Sequence, residues 1–97
     1  MTQVGFHPAA SLELRESAAY YESHVEGLGE EFIAEVERAC SLLVRHPALG
    51  ARYDLRHRRV LLRRFPYALI YRVHEAELTI IAVAHTKRRP GYWQART

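Results

Sequence analysis

The sequence predicts a two-layer α+β fold of order β-α-α-β-β-β, an N-terminal helical hairpin packed on a mainly antiparallel sheet. Three observations carry that reading. Two β-forming runs, residues 67–73 and 78–85, flank the four polar-leaning residues His74-Glu75-Ala76-Glu77, which is the spacing of a β-hairpin. Two stretches of helical periodicity precede them, over 9–24 and from about 30 to 46. Short breaks at Gly27-Leu28-Gly29 and at Pro47 to Gly50 separate the parts. At 97 residues the chain makes one domain, residues 1–97.

In chain order, residues 2–6 read as a short strand, and His7-Pro8 stops it, proline suiting the first turn of a helix. On the first helix Leu14, Ala18, Tyr21 and Val25 share a face. The second opens with Glu30 and Glu31 at its electropositive end, and Arg45 and His46 close it. Its apolar stripe is Phe32, Val36, Ala39, Cys40 and Leu43. Residues 51–57 are polar and read as a loop; 58–64 read as a strand around Val60-Leu61-Leu62. Pro66 marks a strand edge or connection, since it has no N–H for a ladder. If Val73 faces Leu78, strict alternation puts Tyr67, Leu69, Tyr71, Val73, Leu78, Ile80, Ala82 and Ala84 under the helices. Ala68, Ile70, Arg72, Thr79, Ile81, Val83 and His85 then form an open face.

The net charge of +3 conceals an asymmetry. Residues 1–51 hold three Arg against eight Glu, a net of −5. Residues 52–97 hold ten Arg and Lys87 against Asp54, Glu75 and Glu77, a net of +8. A basic second half points to an anionic partner: RNA, DNA or an acidic protein segment. The alternative is internal pairing of acidic helices with a basic sheet. Thirteen of the fourteen basic residues are Arg, whose planar fork binds phosphate or carboxylate in two-point contacts. No run of about 18 apolar residues spans a membrane. A lone Cys40 forms no internal disulfide, and the expected compartment is a reducing cytoplasm.

Several residues are candidates for a site. His85 ends the last strand beside Arg88 and is either an acid/base or a backbone cap. Arg63, Arg64 and Arg72 offer contacts to phosphate or carboxylate. Lys87-Arg88-Arg89 follows the strand and precedes Pro90, so it forms an exposed basic cluster. Tyr92 and Trp93 either stack on a partner or plug the core. The six histidines show no i, i+4 pair and there is one cysteine, so neither a metal site nor a cofactor is expected. Gly-rich phosphate loops and Gly-x-Ser-x-Gly are absent from the sequence.

The segments YYE (20–22), GLGEEFIAEVERA (27–39), HPALG (46–50), RRFPYALIYRV (63–73) and TIIAVAHTKRRPGYW (79–93) together resemble the RelE/ParE family of toxins from bacterial type II toxin–antitoxin modules. The resemblance covers nearly the whole chain. It implies a growth-inhibiting toxin, associated with plasmid stabilisation, in a hetero-oligomer with a cognate antitoxin. RelE-like members cut messenger RNA on the ribosome; ParE-like members poison DNA gyrase. The nucleases carry cations on the strand before the hairpin and at the start of its first strand, an Arg after its second strand, and a late Tyr. Here the first two positions are Leu61 and Ala68, Arg88 matches the third, and Tyr92 stands near the fourth. The resemblance is therefore closer to the ParE-like subgroup, and it implies a gyrase inhibitor. The alternative is a metal-independent endoribonuclease using His85, Arg88 and Tyr92. A further alternative is a non-toxic basic module that binds nucleic acid.

Overall fold

The computed structural model describes residues 3–96. Strand β1 (Gln3–Phe6) leads into helix α1 (Pro8–His24), then helix α2 (Leu28–Arg45), then β2 (Ala51–Arg52), β3 (Arg58–Leu61), β4 (Tyr67–His74) and β5 (Glu77–His85). The five strands form one sheet in the order β1-β5-β4-β3-β2. β1 runs parallel to β5 and the other pairs are antiparallel. The two-layer α+β architecture holds, with one addition. Residues 51–57, read as a loop, contain the two-residue strand β2, which pairs Ala51 with Arg59 and Arg52 with Arg58. No helix among the described residues is long and apolar enough to cross a membrane.

Local chemistry explains the helix boundaries. His7 caps α1 by accepting the Ala9 N–H on Nδ1 at 3.0 Å, and Pro8 occupies the first turn. Val25, expected on the buried face, lies beyond the end of α1 and is exposed. Helix α2 starts at Leu28, two residues before Glu30, because Gly27 adopts φ +86° and turns the chain there. The Glu22 carboxylate takes the N–H groups of Gly27 and Gly29, both at 2.9 Å. A Cβ at Gly29 would sit 2.5 Å from the Ala18 carbonyl oxygen, so this glycine lets the two helices touch.

Below the helices lies the main core, with Phe32, Val36 and Leu43 packed on Leu69, Tyr71, Leu78 and Ile80. Phe32, Phe65, Tyr67 and Tyr21 interlock at centroid distances of 4.9–5.4 Å. The hairpin register begins as expected, Val73 opposite Leu78 and Tyr71 opposite Ile80. It then slips. Ile70 faces Ala82, Leu69 faces Val83, Ala68 faces Ala84 and Tyr67 faces His85, so Ile81 is the extra residue of a β-bulge. Beyond it each β5 side chain exchanges faces. Val83 enters the core under the helices, while Ala82 and Ala84 move to the opposite face with Ile70 and Ile81.

Candidate functional site

The bulge builds a socket on the helix-free face. Ala82 and Ala84 are small, so the Trp93 indole settles on them together with Ile70 and Ile81 and is 2 % exposed. Tyr53 and His57, from the β2–β3 turn, flank the indole at 5.0 and 4.7 Å. Trp93 is thus a plug over a second, smaller core. What remains open is a hollow of about 70 Å³ floored by Ala68, Ile70 and Ala84 and rimmed by Arg59, Arg88 and Arg89. Arg88, Arg89, Tyr92 and Trp93 come together there, joined by Arg59 and Tyr53, which sequence reading did not single out.

Tyr92 is locked in place. Its hydroxyl donates to Glu13 Oε2 at 2.7 Å, and the Arg88 guanidinium lies 3.8 Å above its ring. Glu13, on α1, also accepts both terminal nitrogens of Arg96 at 2.9 Å and the Val83 N–H at 3.0 Å. Arg96 in turn donates to the Ile81 carbonyl at 3.0 Å. These bonds have a reason in the topology. β1 covers β5 only as far as Ile80, whose carbonyl takes the His7 N–H, and so leaves the rest of that β5 edge unpaired. The Glu13–Arg96 pair supplies the missing partners to Ile81 and Val83. Burial alone would push the Glu13 carboxyl up, but hydrogen bonds from Arg96, Tyr92 and Val83 outweigh it and hold the pKa below the ordinary value. Burial, and then donation to Glu13, push the Tyr92 phenol well above its ordinary value.

His85 borders the same hollow, but its ring stands edge-on to Tyr67 at 5.1 Å and its Nδ1 accepts the Lys87 N–H at 3.0 Å. The remaining candidates lie elsewhere. Lys87 is exposed at the turn that follows β5. Arg63 and Arg64 sit on the β3–β4 connection beneath α2, where the Glu35 carboxylate takes both their backbone N–H groups at 2.8 and 3.0 Å. The Arg64 guanidinium pairs with Glu31 at 2.8 Å, a contact open to solvent on both sides. Arg72 is at the far end of β4, facing Thr79. Arg63, Arg64 and Arg72 therefore do not form one patch. Among the described residues only Arg64 and Arg96 of the eleven cations in the second half pair with helical carboxylates. Most of the positive charge faces outward.

Leu61 and Ala68, far apart as sequence positions go, are direct cross-strand partners on the open face. Glu13, Tyr53, Arg59 and Arg96 escaped sequence reading. Arg59 alone carried a local signal, since it alternates with the inward Val60 along β3.

A search of curated proteins gives no significant match. Among solved structures, a chain of the chromosomal ParDE toxin–antitoxin system from P. aeruginosa superposes with a TM-score of 0.77 at 17 % identity, over 88 % of this chain and 96 % of that one. That likeness concerns the fold. A family model, the ParE toxin of the parDE type II toxin–antitoxin system, matches residues 4–90. With nearly its full length accounted for by that model, the chain belongs to the ParE toxin family of type II toxin–antitoxin systems.

Proposed function

We propose that this single-domain toxin works in the cytoplasm, inhibits growth by binding and stalling DNA gyrase, performs no covalent chemistry itself, and is neutralised by a cognate antitoxin. The observation that carries the reading is the Leu61–Ala68 pair. Metal-free RNA cleavage needs cations on the scissile phosphate together with an acid and a base. The two strand positions that supply cations in the resembling nucleases lie side by side here, and both are apolar. The Tyr92 hydroxyl is engaged in a hydrogen bond to Glu13, and His85 Nδ1 is occupied by a backbone N–H. What is left on this face is a basic rim around an aromatic plug, a surface suited to gripping another macromolecule.

In the test, purified toxin is added to gyrase and relaxed plasmid. Loss of supercoiling, with induction of the DNA-damage response and intact transcripts in cells, is the expected result. Transcript cleavage on translating ribosomes that disappears in Arg88→Ala would replace this reading with the nuclease. Salt-sensitive nucleic-acid binding without any growth effect would replace it with the inert module. For neutralisation, the basic half is the expected dock for an acidic antitoxin tail that folds on binding. Changing Arg63, Arg64 and Arg72 to Ala together should weaken toxin–antitoxin affinity; unchanged affinity would put the tail elsewhere.

A further inference from the structure

At the hairpin end of the open face, away from the Trp93 hollow, a second groove of about 510 Å³ is lined by Leu55, Arg56, Arg72, His74 and Thr79 among others. Leu55, at the tip of the β2–β3 turn, is 93 % exposed, the most exposed of the large apolar side chains. The turn beneath it is held firmly. Asp54 Oδ1 accepts the N–H groups of Arg56 and His57, both at 2.8 Å, and His57 Nδ1 lies 2.9 Å from the same oxygen. Tyr53 N–H donates to the His57 carbonyl at 2.9 Å, and Arg52 reaches the Leu55 carbonyl at 3.3 Å. His57 is itself buried against Trp93. A leucine held out on a loop anchored into a core meets its partner already ordered, so little conformational entropy is lost when it binds.

We propose that Leu55, with Arg56 and Arg72 beside it, is an anchor that inserts into an apolar pocket on an acidic protein surface. Charge decides the sign of that surface. Arg56 and Arg72 make no ion pair among the described residues, and Glu77 is the one acid lining the groove. Chemistry decides its class. Nucleic acid rewards aromatic stacking and phosphate contacts, and an aliphatic side chain gains little from either. A protein partner rewards burial of a large apolar side chain in a pocket, and arginine is enriched at such interfaces. The inference rests on the reading that this toxin works by binding a protein, and it names the contact.

The test compares Leu55→Ser, Arg56→Glu and the unaltered chain for growth inhibition on expression and for affinity to purified gyrase. Leu55 has no left-handed backbone and touches no core, so both variants should fold with unchanged thermal midpoints. The expected result is a loss of about tenfold or more in affinity and a matching loss of growth inhibition for both. Full activity in Leu55→Ser overturns the anchor while leaving the gyrase reading standing. Activity lost in Arg56→Glu but kept in Leu55→Ser also overturns it, in favour of a phosphate partner. If the unaltered chain inhibits growth without binding gyrase, the gyrase reading fails and the growth of Leu55→Ser cells still decides the anchor. An unaltered chain with no effect on growth overturns both.

Discussion

The two faces of the sheet are built on opposite plans. Toward the helices it presents large side chains, Leu69, Tyr71, Leu78 and Ile80, fully buried under α1 and α2. Away from them it presents Ile70, Ile81, Ala82 and Ala84, covered by one indole and bordered by free guanidinium groups. The first face is a fold made redundant by many contacts. The second depends on one residue and one half-buried ion pair. Stability is therefore concentrated on one side of the sheet and recognition chemistry on the other, with the bulge at Ile81 deciding which β5 residues serve each.

Substitutions can break this contrast. The largest effect is expected from Phe32→Ala, a loss of about 3–5 kcal/mol in urea unfolding, because aromatic rings and strands surround that site. Trp93→Ala should cost less, about 3 kcal/mol, since its ring has a core on one side only. Equal losses would mean the two faces are energetically alike. Glu13→Gln should cost about 1–3 kcal/mol by leaving Arg96 and two other donors poorly matched. Its pH signature is more specific. A carboxyl held below its ordinary value of 4.5 lends stability that is fully present above that value and lost as pH falls through the folded-state value. Trp93 is the sole tryptophan, so its fluorescence should shift on acidification below about pH 4.5 in the unaltered chain and far less in Glu13→Gln.

Arg88→Ala should change stability by no more than about 1 kcal/mol, the worth of its stacking on Tyr92, yet reduce growth inhibition. A large stability loss would reassign Arg88 to the scaffold. The smallest effect concerns Cys40. Burial, and then Glu37, push its thiol up to about 11. At pH 8 only ~0.1 % is thiolate, so alkylation of the folded chain should be far slower than of the urea-unfolded chain.

The helix-covered face was largely legible in the sequence, and the open face was not. Periodicity located Phe32, Val36 and Leu43, and alternation placed Tyr71 opposite Ile80. Past that point β5 reads Ile80-Ile81-Ala82-Val83-Ala84, apolar throughout. Without a polar residue to mark a face, alternation carries no information and a one-residue slip leaves no trace. The Trp93 socket follows from that slip. Glu13 and Arg96 meet across 83 residues of sequence, beyond any local pattern. Strand β2 is two residues long and rests on pairing with β3, not on its own composition. The Glu35 clasp on the β3–β4 connection was hidden likewise, because a glutamate on a helix reads as solvated until the chain folds back onto it.

One consequence of the parallel β1–β5 pairing concerns time. The first strand made must wait for the last, and Glu13 finds its partners only once Val83 and Arg96 have been synthesised. Contacts this distant in sequence close late. The sheet can close its β1–β5 seam only after the β5 residues exist, and the Glu13 clasp only after Arg96 follows them.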